Sequence, residues 1–144
     1  MVRPMTKTEW RRVDWSGALA PTLADVEVLA DEAYRSIPAE LRARIDPVVV
    51  RVLDFADDAT LEEMGCETPF DLLGLYKGVD LTRKSVSDVP QDVDMIFLYR
   101  RPLLDYWVES GEELGAVIRH VMIHEIGHHF GYSDDDMDEI GGPM

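Results

Sequence analysis

The chain has 144 residues, 46% hydrophobic and 30% charged, which fits one soluble globular domain with a real core and leaves no room for a second. Its formal net charge of −15 repels phosphate backbones and disfavours a nucleic-acid substrate, leaving cationic peptides or plain solubility as its uses. No apolar run approaches the roughly 20 residues of a membrane span, no apolar segment follows the basic residues of 1–12 as a secretory signal requires, and the single cysteine, Cys66, excludes an internal disulfide and suits a reducing cytoplasm.

Residues 1–20 carry scattered charges, Trp10 and Trp15 without a clear period. They read as an extension, either partly disordered or docked through its tryptophans, and residues 21–144 as the single domain. Thr22 is placed to cap a helix, with Asp25 three positions on. Leu23, Val26, Ala30, Ala33, Tyr34 and Ile37 then keep helical spacing up to a stop before Pro38. A short helical turn over 39–45 follows. Val48–Leu53 is β-branched, begins after Pro47 and reads as a buried strand. Residues 57–64 read as a short helix closed by Gly65. A second strand covers 72–77, with a turn from Gly78 into 79–82, and a third covers 94–99. Helical pattern resumes at Pro102 and runs to Trp107. Ser110-Gly111-Glu112-Glu113 then reads as a capping box, with Ser110 as N-cap and Glu113 at the third helical position. The helix it opens is apolar over most of its circumference, through Leu114, Val117, Ile118, Val121, Met122 and Ile126, as a buried helix is. Residues 134–140 read as a last short helix with an acidic first turn.

The most informative stretch is His124-Glu125-Ile126-Gly127-His128-His129-Phe130-Gly131-Tyr132-Ser133-Asp134, an H-E-x-x-H-x-x-G-x-x-D spacing. Residues four apart on a helix differ by roughly 40° in direction and about 6 Å in height, so His124 and His128 can reach one cation from one face. Glu125 points about 100° away from His124, towards water at the metal, where a general base belongs. Gly131 can end the helix in the left-handed conformation. The chain then turns back, and spacing favours Asp134 as third ligand over Asp135, Asp136 and Glu139. Two imidazoles and a carboxylate leave a coordination position open, as in a catalytic zinc site, so one zinc ion is the expected cofactor. His120, one turn before His124 on the same face, reads as a cleft residue behind the ligands, and His129 as structural. Candidates for stabilising the oxyanion are His120, Tyr132 and Tyr99.

Four blocks in order carry a resemblance: Asp71-Leu72-Leu73-Gly74-Leu75-Tyr76-Lys77-Gly78, Leu81-Thr82-Arg83-Lys84-Ser85, Ile96-Phe97-Leu98-Tyr99-Arg100-Arg101-Pro102, and His124 through Asp134. Over about residues 30–141 the chain resembles the small bacterial zincin-like metallopeptidases, or minimal zincins. The resemblance implies an α+β zincin-like fold, with a small mixed β-sheet packed on helices that include the H-E-x-x-H active-site helix. It also implies zinc held by His124, His128 and Asp134, Glu125 as general base, and hydrolysis of a peptide or protein substrate. By the same analogy the substrate lies along a sheet edge, for which residues 96–99 are the expected strand. The chain departs from the larger metzincins in having aspartate as the third ligand and in lacking their long C-terminal subdomain, so Met137 is assigned no methionine turn. A metal-dependent endoribonuclease is disfavoured by Glu125 and by the acidic charge. A peptide deformylase is disfavoured by Gly127, which stands where its H-E-x-D-H motif has aspartate. A non-proteolytic zinc-binding regulatory or binding module stays open.

Overall fold

The structure, a computed structural model, describes residues 3–4, 14–78, 93–132 and 135. Helix α1 (Leu23–Ser36) opens on a reciprocal box: the Thr22 hydroxyl accepts from the Asp25 amide at 3.1 Å, and the Asp25 carboxylate accepts from the Thr22 amide at 2.8 Å. It buries Val26, Ala30 and Ala33 and stops before Pro38, whose ring disfavours a helical residue in front of it. Helix α2 (Ala39–Ile45) buries Leu41 and Ile45 and leads into strand β1 (Val48–Leu53). Helix α3 (Asp58–Glu63) is capped by Asp57, and Gly65 follows it with φ of +70°. A single 3-10 turn (Pro69–Asp71), capped by Thr68, precedes strand β2 (Gly74–Lys77). Strand β3 (Asp94–Tyr99) then feeds helices α4 (Arg100–Ser110) and α5 (Leu114–His129).

Among the described residues the sheet has the order β1-β3-β2. Strand β3 runs parallel to β1 and antiparallel to β2, with Ile96 opposite both Val50 and Tyr76. Even-numbered strand residues face α1 and α5, and there Val52, Ile96 and Leu98 join Val26, Ile118, Met122 and Ile126 in the main core. Odd-numbered residues face the other way, where Tyr99, Ala56 and Leu72 form a smaller cluster flanked by Leu75 and Phe97. This is the expected α+β, zincin-like arrangement of a small mixed sheet packed on helices.

Four expectations need correction. Among the described residues strand β1 is an edge strand and not a buried one, with Val49 exposed at 40% and Leu53 at 37%. Residues 96–99 lie in the central strand, so they offer no free edge to a substrate. Ser110 closes α4 instead of opening α5: its hydroxyl donates to the Trp107 carbonyl at 3.1 Å and accepts from the Glu112 amide at 3.2 Å. Gly111 takes φ of +71°, the left-handed conformation that ends a helix, so the residue before it belongs to the last turn of α4. Helix α5 starts after Glu113 with no side-chain cap. Finally, α4 begins at Arg100 and not Pro102, because a proline in a first turn lacks only an amide that had no intrahelical partner.

Trp15 is 73% exposed, and Trp10 lies outside the described residues. The expected turn over 79–82 and the expected helix over 134–140, apart from residue 135, also lie outside them. No helix among the described residues is long and apolar enough to cross a membrane.

Candidate metal centre

Helix α5 is held by its apolar faces, through Val117, Ile118, Met122, Ile123 and Ile126, all at 2% exposure or less. Its end is built as the glycine spacing predicts. Gly131 takes φ of +73°, its amide donates to the His128 carbonyl at 3.1 Å, and the Tyr132 amide donates to the Gly127 carbonyl at 2.8 Å. These two bonds are the Schellman pair that turns a chain out of a helix. Arg44 of α2 braces the turn from outside. Its guanidinium lies 4.5 Å over the Phe130 ring and donates to the Tyr132 hydroxyl.

The rings of His124 and His128 lie 6.1 Å apart, edge to face at 88°. Two imidazoles bound to one tetrahedral zinc at about 2.1 Å have centroids roughly 5–6 Å apart, so this pair fits a shared zinc after a small rotation. His120 packs on the far side of His124, with ring centroids 4.1 Å apart. It lies about 12 Å along the axis from His128, too far for both to reach one ion. Asp134, Asp136 and Glu139 lie outside the described residues, and Asp135 is exposed. Among the described residues no three metal-binding side chains converge.

Glu125 is placed by strand β2. The Tyr76 amide donates to its Oε2 at 3.4 Å. Burial pushes the Glu125 carboxyl above its ordinary range, while the Tyr76 amide and His128 pull the other way. The Tyr76 amide is free for this bond because the Tyr99 amide donates to the Leu73 carbonyl at 3.0 Å. That bond sets the antiparallel phase: Leu73, Leu75 and Lys77 pair with β3, whereas Gly74 and Tyr76 turn their polar groups off the outer edge.

Two glycines let β2 lie this close to α5. A Cβ on Gly74 would come 2.9 Å from Val121 Cγ1 and 3.1 Å from the Phe97 carbonyl, and one on Gly78 would come 2.7 Å from His129 Cε1. Val121, Glu125 and His129 repeat every four residues, about 6 Å on a helix, and Gly74, Tyr76 and Gly78 every two, about 6.7 Å on a strand. The two ladders therefore stay in step, with glycine where a helix side chain intrudes and an amide where Glu125 arrives. His129 stacks on Tyr76 at 4.1 Å, which gives it the structural role expected of it. The Tyr76 hydroxyl donates to Asp94 Oδ2 at 2.5 Å. Sequence reasoning gives Tyr76, Gly74 and Gly78 no part in the site, although two glycines four apart around a strand are a visible signal of close approach.

The remaining candidates are dispersed. The Tyr132 hydroxyl is engaged by Arg44. Tyr99 is 3% exposed, belongs to the cluster on the sheet face away from α5, and stacks parallel to Phe97. Its phenol is pushed up to about 12, first by burial and then by Asp57 and Glu125. Of the three, only His120 touches the histidine pair.

No curated protein matches the chain. A family model described as zincin-like metallopeptidase matches residues 45–142, from the last residue of α2 through the sheet and past the end of α5. That span is more than half of the 144 residues and carries His124, Glu125 and His128 with the strand that meets them. The chain therefore belongs to the zincin-like metallopeptidase family.

Proposed function

We propose that the protein hydrolyses peptide bonds, with His124, His128 and Asp134 holding one zinc ion and Glu125 acting as general base. The observation that carries this reading is the half-buried Glu125 carboxylate, one residue from a histidine of the pair and bonded to an outward-facing strand amide. Zinc, when bound, supplies Lewis acidity that lowers the pKa of a water and polarises a carbonyl. His124 and His128 present their imidazoles from one face of a rigid helix, and Asp134 would add a carboxylate. Glu125 takes a proton from the attacking water and delivers it to the leaving amine. The substrate backbone runs along the outer edge of β2, beside Glu125 and not along β3. His120 braces His124 from behind.

A peptide-library cleavage assay on zinc-loaded protein, with Glu125→Gln as control, tests the proposal. The variant is expected to keep one zinc per chain and lose roughly 10²- to 10⁴-fold in rate. Loss of metal by Glu125→Gln, or equal cleavage by both proteins, overturns the role given to Glu125. Absence of cleavage by either moves the weight to a non-proteolytic zinc-binding module.

A further inference from the structure

The face of the sheet turned away from α5 carries a cavity of about 430 Å³. Its floor is aromatic, made by Phe97 and Tyr99, whose rings lie parallel at 6.4 Å. Leu75 continues the floor, and Phe55, Met64 and Leu53 wall it. The wall is pre-formed: Phe55 is held edge to face against Phe70 at 5.2 Å, with Arg101 5.7 Å from its ring. Folding nevertheless leaves apolar surface uncovered here, since Met64 stays 47% exposed and Leu53 37%. The mouth has little charge with which to select an ion. Asp57 is occupied in capping α3, and Glu63 and Lys77 offset each other.

The cavity reaches the β2 edge, because Leu75, Tyr76 and Lys77 all line it. That is the edge whose Tyr76 amide meets Glu125. An extended peptide paired along it sends alternate side chains to opposite faces of the sheet. One set faces α5 and Glu125, and the other passes over Leu75 into the cavity. Its volume lies in the lower part of the roughly 300–1,000 Å³ usual for ligand pockets, enough for an aromatic or long aliphatic side chain. We propose that this cavity is a specificity subsite for one large apolar side chain of a peptide bound along β2. The proposal rests on the peptidase reading only for where the peptide lies.

The test is an acetylated alanine octapeptide carrying Phe, Leu, Lys or Glu at one position at a time. Each peptide is scored twice, for cleavage by zinc-loaded protein and for binding to zinc-loaded Glu125→Gln. At one position Phe and Leu are expected to bind about tenfold more tightly than Lys or Glu, the usual worth of a filled apolar pocket. Met64→Lys is expected to turn that single preference towards Glu. Thr60→Trp, which fills the cavity from α3, is expected to abolish the gain from Phe. Preferences at the other positions should not move. Apolar selection at one position without any cleavage would sink the peptidase reading and leave the subsite standing. Cleavage whose profile ignores both variants, or binding without an apolar preference, overturns the subsite.

Discussion

At one edge of the sheet β1 meets its helix through Val48, Val50 and Val52, whereas at the other edge β2 meets α5 through Gly74, Tyr76 and Gly78. The valines keep three-carbon side chains between strand and helix, so α1 rests on packed methyl groups. At β2 that spacer is missing, and α5 closes until Val121 and His129 press on backbone. The Glu125 carboxylate reaches the Tyr76 amide because of that closure. Side-chain volume at a strand-helix seam thus decides how near a functional group comes to a sheet edge. Bulk makes a scaffold at β1, and its absence makes a site at β2.

The largest effect expected on that comparison comes from the metal ligands. His128→Ala should lower zinc content sharply and remove hydrolysis, as read by metal analysis of the purified protein; full metal stoichiometry would rule out the proposed centre. Asp134→Ala set against Asp135→Ala and Asp136→Ala, each with the same analysis, identifies the third donor. The seam itself comes next. Gly74→Ala forces a Cβ against Val121 and the Phe97 carbonyl, an overpacking expected to cost about 1–3 kcal/mol. Val50→Ala at the opposite edge removes two methyl carbons from a half-buried site and should cost a similar amount, roughly 1–2 kcal/mol. Denaturant titration should therefore rank the two variants close together. Only Gly74→Ala should lower kcat/KM with zinc retained, and Val121→Ala in the same chain should restore part of it. Equal kcat/KM losses in the two single variants would mean that the β2 seam has no special role in placing Glu125.

How much of this was legible beforehand depended on the range of the interaction. The Thr22 box, the stop before Pro38 and the turn at Gly131 are local, each decided within a few residues, and all stand where the sequence places them. The junction at Ser110 is equally local but carries two competing signals. The left-handed glycine won, because Gly111 at φ of +71° ends α4 and leaves Ser110 in that helix's last turn. Strand order was not legible at all. A run such as Asp94-Met95-Ile96-Phe97-Leu98-Tyr99 states that it is a strand, not which strands flank it, and so the central strand was mistaken for an edge. The four resembling blocks pointed to the family with more specificity than the zinc motif alone, and the family match over 45–142 agrees with them. The seam between β2 and α5 needed coordinates, since it joins residues about fifty apart whose spacings match only once both elements exist.

The smallest effect distinguishes the edges by pH. Each has a tyrosine whose hydroxyl donates to an aspartate, Tyr34 to Asp46 beside β1 and Tyr76 of β2 to Asp94 of β3. Burial first, and then the aspartate, push the Tyr34 phenol up to about 12 and the Tyr76 phenol further still. A free tyrosine ionises near pH 10. A group whose folded pKa lies above its unfolded value contributes stability that is whole below the unfolded pKa and is lost as pH rises through the folded one. Stability should therefore be level up to about pH 10 and then fall, with the Tyr34 share gone near 12 and the Tyr76 share still declining there. Urea titrations at intervals from pH 8 to pH 11.5 follow this directly. Tyr34→Phe and Tyr76→Phe should each cost about 1 kcal/mol at neutral pH through the lost hydrogen bond. Each should also make the alkaline decline shallower, and the double variant should keep only the smaller decline due to Tyr99, whose phenol burial pushes up to about 12. A double variant that falls as steeply as the parent would assign the alkaline loss to other groups and remove the tyrosine-aspartate pairs from the comparison of the two edges.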